Sequence, residues 1–196
     1  MPPAAFDLFT IGHSNHPIER FLELVRGAGV SAIADVRSTP ASRRYPWFNA
    51  ARLKPRLEAE GIAYVPLGDA LGGRPRDQRL YRDDGVADYA AMARTEEFRA
   101  GLDRVGEGAR HYRVCLMCAE REPLDCHRCL LVAPALVTRG FSIGHILADG
   151  RIEPHADTET RLIKLARVEP DLFADHAGRV AAAYAKRAGS AAYRRT

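Results

Sequence analysis

Lysine is almost missing from this chain of 196 residues: only Lys54, Lys164 and Lys186 are present, and the other basic residues are arginines. With 29 basic residues against 25 acidic ones the net charge is +4, an excess that permits an anionic partner without demanding nucleic acid. Arginine preference is what a G+C-rich coding sequence would produce and is not in itself a phosphate signal, although guanidinium forks suit phosphate. Long apolar runs are absent too. None approaches the ~20 residues a membrane span requires, and Met1–Gly12 lacks the basic and apolar regions of a secretory signal. These absences predict a cytoplasmic protein with no membrane partner. In that compartment its four cysteines, Cys115, Cys118, Cys126 and Cys129, are expected as reduced thiols, catalytic groups or metal ligands, not structural disulfides.

The chain is long enough for one domain that hides roughly 70% of its unfolded surface. Apolar and polar stretches alternate along it. Phe6–Ile11 reads as a buried strand ended by Gly12-His13-Ser14-Asn15. Pro17 then opens a helix with Ile18, Phe21, Leu22 and Val25 on one face. Ala32–Val36 is a second strand. Asn49 is placed to cap a helix to about Glu60, which Pro55 disturbs, and Ile62–Val65 is a third strand. Pro66–Gly85 has the composition of a long loop, of the kind that serves as a lid or stays disordered. Val86 to about Val105 is helical with a break near Thr95. Tyr112–Met117 is the clearest strand, and Asp125 is placed to cap a helix from Cys126 to Arg139 kinked at Pro134. Phe141–Leu147 is a last strand, followed by an Asp149-Gly150 hairpin signal and a helix capped by Asp157. The alternation predicts a three-layer α/β fold with a mostly parallel sheet and helices on both faces. Residues 6–165 form the single domain, and 166–196 a C-terminal extension, helical or partly disordered.

In an open parallel sheet ligands sit beyond the carboxyl ends of the strands. Those ends deliver His13 and Ser14, then Asp35 and Arg37 with Ser42 and Arg43 in the following loop, then Cys118 and Glu120, then Cys126, His127 and Arg128. Cys126 at a helix start beside Arg128 would have a stabilised thiolate. Arg37, Arg43 and Arg128, with Ser14 and Ser42, are candidates to hold anionic oxygens. Cys118, Cys126, His13, His127 and Glu120 are candidates for the chemistry, with Asp35 orienting one of them. Plainer roles compete. Asp35 and Arg37 can form an ion pair that organises their loop, His13 can bond the backbone of its own turn, and Cys115 and Cys129 suit core packing. His145 and His155 suit a structural pair across the hairpin. Trp47-Phe48 can plug the loop or stack on a base. The spacing Cys115-x-x-Cys118 … Cys126-x-x-Cys129 has the look of paired zinc knuckles, but on a strand Cys115 and Cys118 point to opposite faces. A metal held by Cys118 and Cys126 with a histidine is the less strained variant; no metal is assigned and the cofactor is left open.

Gly12-His13-Ser14, Asp35-Val36-Arg37, Pro40, Ser42-Arg43, Pro46, Phe48, Leu71-Gly72-Gly73, Ala87-Asp88-Tyr89, Glu97-Phe98, Leu116-Met117-Cys118-Ala119-Glu120, Pro123 and Cys126-His127-Arg128 together resemble the family called domain of unknown function 488. The resemblance covers about Phe9 to Ile146 and implies a compact prokaryotic α/β domain with the site residues above as its motif positions. It implies no activity. The expectation is therefore an enzyme with a Cys/His/Arg site acting on a phosphate-bearing or nucleotide-like substrate. The alternatives are a nucleic-acid-binding module using Arg74, Arg76, Arg79 and Arg82 with the basic C-terminal tail, or a metal- or thiol-based sensor.

Overall fold

The computed structural model describes residues 6–168 and 175–195. A six-stranded sheet runs through its centre: β1 Leu8–Gly12, β2 Ala32–Asp35, β3 Ala63–Pro66, β4 Val114–Cys118, β5 Ile143–Ile146 and β6 Ile152–Pro154, in the order β3-β2-β4-β1-β5-β6. All neighbours are parallel except β5 and β6, which the Asp149-Gly150 turn joins as an antiparallel pair. The register levels the carboxyl ends of the middle strands, with Gly12 opposite Cys118 and Asp35 opposite Met117.

Side chains alternate across the sheet and build two cores. Phe9, Ile11, Ile33, Cys115 and Met117 pack against α1 (Ile18–Gly27) and α2 (Ala50–Glu58) through Phe21, Leu22, Val25, Leu53 and Leu57. Leu8, Ala34, Val114, Leu116 and Cys118 face the other way, toward α3 (Gly68–Leu71), α4 (Tyr89–Met92), α5 (Glu96–Ala109), α6 (Ala133–Thr138), α7 (His155–Ala166) and α8 (His176–Ala191). The three-layer α/β expectation is met. Among the described residues no helix is long and apolar enough to cross a membrane.

Several local expectations need correction. The Pro66–Gly85 stretch is not one loop: it contains α3 and a 3-10 turn at Gln78–Leu80. The helical region after Val86 starts late, because Asp88 caps α4 with its side-chain oxygen, while the expected break at Thr95 is present, Thr95 capping α5. Asn49 stands at the start of α2, but its side chain accepts from the Ser42 backbone N–H at 2.6 Å instead of capping. Asp157 is in the first turn of α7, whose cap position is Pro154. Asp125 caps nothing: it closes a 3-10 turn over Pro123–Asp125. Cys126 takes the cap position, with extended backbone, and its carbonyl accepts from the Cys129 and Leu130 N–H groups. The chain then winds as a π-helix over Arg128–Val132 before α6, in which Pro134 stands in the first turn. A proline there has no N–H to lose.

Candidate functional site at the carboxyl ends of β1, β2 and β4

β4 ends in Cys118, whose side chain leaves the sheet on the α5–α8 side. Two residues later Glu120 turns back, and one of its carboxylate oxygens lies 2.9 Å from Cys118 Sγ and 3.0 Å from Cys126 Sγ, within hydrogen-bond distance of both. Glu120 is exposed as a residue, yet that oxygen lies between two buried sulfurs. His127 completes the cluster. Its Nε2–H donates to the Val36 carbonyl at 2.9 Å, which turns Nδ1 toward Cys118 Sγ (3.7 Å) and Cys126 Sγ (3.9 Å). The ligating atoms of Cys118, Glu120, Cys126 and His127 all lie within 4.8 Å of one another. Burial opposes the thiolate of Cys126, but the hydrogen bond from Cys118, the Arg128 charge and His127 outweigh it and hold this thiol well below the ordinary range. Cys118 moves the opposite way, pushed up by burial and by Cys126. Burial and Cys126 also raise Glu120.

Two glycines permit the arrangement. A β-carbon on Gly12 would stand 1.8 Å from the Glu120 carbonyl oxygen, and one on Gly73 would stand 2.7 Å from the His127 ring. Both sites demand a residue without a side chain.

Of the cationic candidates, Arg128 is fully buried and faces away from solvent. Its Nη1 donates to the Glu120 carbonyl at 2.7 Å and its Nη2 to the Arg121 carbonyl at 3.2 Å, so it shapes the 120–121 turn. Arg37 is also consumed. It donates to both Asp35 oxygens (2.8 and 2.6 Å), to the Phe48 carbonyl (2.8 Å) and to His13 Nε2 (3.2 Å). Asp35 accepts in addition from the Tyr64 hydroxyl at 2.7 Å. His13 donates from Nδ1 to the Ser14 carbonyl at 2.9 Å and stacks on Phe48. Burial and the Arg37 charge push its pKa down to about 4, so it is a neutral imidazole with both nitrogens engaged. Ser42 accepts from the Tyr45 N–H, closing a local turn. Ser14 holds a left-handed conformation (φ 50°) and donates to Asn15. Phe48 is buried and the Trp47 indole donates to the His16 carbonyl, an aromatic plug beneath the loop.

A cleft of about 910 Å³ opens over these strand ends. Cys118, Glu120, His127, His13, Arg37, Ser14 and Ser42 reach its wall; Cys126, Arg128 and Arg43 do not. Sequence reasoning missed the other half of the lining. Arg44 stands where Arg43 was expected, and Arg121, Ser38, Tyr89 and Tyr193 join it, with Arg74, which the sequence offered only as a nucleic-acid contact. Among the described residues Arg44, Arg74 and Arg121 enter no ion pair, whereas Arg76, Arg79 and Arg82 are paired with Asp69, Asp77 and Asp84. The far wall comes from the C-terminal segment. Ala191 and Tyr193 line the cleft, and the Tyr193 ring lies 4.5 Å beneath the Arg74 guanidinium. The Tyr193 carbonyl accepts from the Ala87 N–H at 2.9 Å, and Arg187 pairs with Asp125 and donates to the Leu124 carbonyl. α8 is further tied to the body by Tyr184, whose hydroxyl meets His155 Nε2 at 3.0 Å and Glu159 at 3.2 Å. His155 and His145 touch at 2.9 Å and His145 bonds Thr10, so this pair forms a buried polar chain away from the cleft.

Cys115 faces the α1–α2 core, on the opposite side of the sheet from Cys118, and the four cysteines do not meet. The profile of the family described as "Domain of unknown function DUF488" matches residues 17–134. The chain belongs to this family. The matched span of the DUF488 domain ends before β5, so α7, α8 and the Tyr193 wall lie outside it. No curated protein and no solved structure matches the chain.

Proposed function

We propose that the protein is an enzyme acting on a small phosphate-bearing, nucleotide-like substrate, bound in the cleft at the carboxyl ends of β1, β2 and β4. The observation that carries this reading is the meeting of two unlike sets of groups in one cavity. Arg44, Arg74 and Arg121, which pair with no carboxylate among the described residues, border the cleft together with the hydroxyls of Ser38 and Ser42. Unneutralised guanidinium groups beside hydroxyl donors favour an anion with several oxygens. At the inner wall the Cys118–Glu120–Cys126–His127 cluster supplies the chemistry. Glu120 both reaches the cleft and stands within hydrogen-bond distance of both sulfurs, which makes its carboxylate the group positioned to exchange a proton with bound substrate. Tyr89 and Tyr193 offer aromatic surface for the rest of the ligand. Arg76, Arg79 and Arg82, which a nucleic-acid module would use, each stand beside a local carboxylate that offsets their charge.

Isothermal titration at low ionic strength with inorganic phosphate, pyrophosphate and nucleoside monophosphates tests the reading. Each charge-assisted contact is worth about 1.5–3 kcal/mol, so Arg44→Ala and Arg74→Ala should each weaken binding roughly tenfold or more. Cys118→Ser/Cys126→Ser should abolish turnover of the substrate so found. Failure of all these ligands to bind, or unchanged affinity in the Arg44→Ala/Arg74→Ala variant, overturns it.

A further inference from the structure

The inner wall of the cleft packs two thiols and a carboxylate around one imidazole nitrogen, with contacts of 2.9, 3.0, 3.7 and 3.9 Å. Three groups that each become anionic on losing a proton are unfavourable neighbours at a site where both sulfurs and the imidazole are buried. The same donors are those a soft divalent cation selects. We infer that Cys118, Cys126 and His127 Nδ1, with Glu120 as fourth donor, form a tetrahedral zinc-type metal site at the floor of the cleft.

Geometry carries this in three ways. Zinc bonds of about 2.3 Å to sulfur and about 2.0–2.1 Å to nitrogen or oxygen place tetrahedral donors about 3.6 Å apart. The two sulfur–nitrogen separations, 3.7 and 3.9 Å, already match. The Glu120 oxygen, at 2.9 and 3.0 Å from the sulfurs, has only to withdraw by about 0.6 Å to satisfy the same bond lengths. The imidazole is also fixed as a ligand would be. Its Nε2–H is given to the Val36 carbonyl at 2.9 Å, which sets the tautomer with Nδ1 free to coordinate. Finally, the chain path is built to bring the donors together. Cys118 ends β4, Cys126 and His127 open the π-helix, and Gly12 and Gly73 are stripped of side chains where the Glu120 turn and the His127 ring press against them. The neighbouring Cys129, His145 and His155 also lie close together, but the ring nitrogens of that pair are already bonded to Thr10, to each other and to Tyr184.

Glu120 is the exposed member of the set and reaches the cleft, so its place is the one an incoming water or phosphate oxygen takes. Displaced, its carboxylate stands beside the metal as proton acceptor, the division of labour of a three-ligand catalytic centre. The location of this centre with respect to substrate rests on the phosphate-binding reading above; the metal site itself does not.

The full-length chain, reduced under argon and freed of metal, should take up one Zn²⁺ or Co²⁺ per chain, with two thiols protected from thiol reagents. The Co²⁺ form should show sulfur-to-cobalt charge transfer and tetrahedral d–d bands. His127→Ala and Cys118→Ser should each lose at least tenfold in metal affinity, while Cys115→Ala, across the sheet, keeps one metal per chain. Glu120→Gln, a change at an exposed residue that leaves the fold intact, should keep the thiolate bands and shift the d–d bands. Absence of stoichiometric metal in reduced wild-type protein, or wild-type spectra in His127→Ala, overturns the assignment. Addition of inorganic phosphate separates the two readings. A d–d shift on phosphate binding supports both, and phosphate binding by protein that takes up no metal sinks the metal site alone. A loaded metal with no phosphate binding sinks only the substrate reading.

Discussion

Gly12→Ala puts a methyl carbon where the Glu120 carbonyl stands. The new atom would lie 1.8 Å from that oxygen and 2.8 Å from its carbon. Restoring ordinary contact requires the 119–121 turn to retreat by more than an ångström, and the main partner of that turn cannot follow. Arg128 is 0% exposed, donates to the Glu120 carbonyl at 2.7 Å and already has an unpartnered Nε. Losing a hydrogen bond from a charged group costs about 1.5–3 kcal/mol, and overpacking adds about 1–3 kcal/mol. The expected loss is about 3–5 kcal/mol. For a chain of this size each kcal/mol moves Tm by about 2–4 °C, so Tm should fall by roughly 6–20 °C. Displacement of Glu120 also pulls its carboxylate away from the two sulfurs. Thermal unfolding by circular dichroism and thiol reactivity read the two effects. A Gly12→Ala protein with wild-type Tm and wild-type thiol reactivity would refute the argument that close approach of the 120 turn demands this glycine.

Stability should also depend on pH through His13. Its folded pKa, about 4, lies below the ordinary value of 6.5 because burial and Arg37 disfavour the cation, partly offset by Asp35. The unfolded chain therefore binds more protons between these values, and the contribution is complete above pH 6.5 and is lost as pH falls toward 4. The shift corresponds to about 3 kcal/mol. His145, pushed down by burial and by His155, acts in the same direction. Urea unfolding from pH 7 to 4 should show the slope, and His13→Gln should flatten it; equal slopes in both proteins would contradict the assignment. Tyr193→Ala removes the ring beneath Arg74. A cation–π contact at an exposed site is worth about 0.5–1 kcal/mol, so phosphate affinity should fall by about two- to fivefold with little change in Tm, and an unchanged affinity by titration would exclude the C-terminal segment from the site.

The sequence by itself determined the sheet and the strand ends at which its polar residues stand. Phe9 and Ile11 lie on the opposite face from Leu8, and Ile33 on the opposite face from Ala34, because the side-chain period of a strand is 2 whatever its neighbours do. The same period separated Cys115 from Cys118 and excluded a four-cysteine knuckle. The motif glycines were visible as residues, but the reasons for them, the Glu120 carbonyl and the His127 ring, come from segments more than 50 positions away. Only the tertiary structure decided which polar groups are spent. Arg37 and Arg128 read as anion ligands by type and position, yet backbone carbonyls and Asp35 consume them once the loops close. Arg44 and Arg74 enter no ion pair among the described residues, which no local pattern encodes. The strand order β2-β4-β1 brings Cys118 between His13 and Asp35. Non-local pairing likewise carries Tyr193 back to the strand ends, making the C-terminal extension a wall of the cleft. Hydrophobic periodicity is local and legible; the meeting of distant polar groups depends on sheet order and loop closure, and exists only in the folded chain.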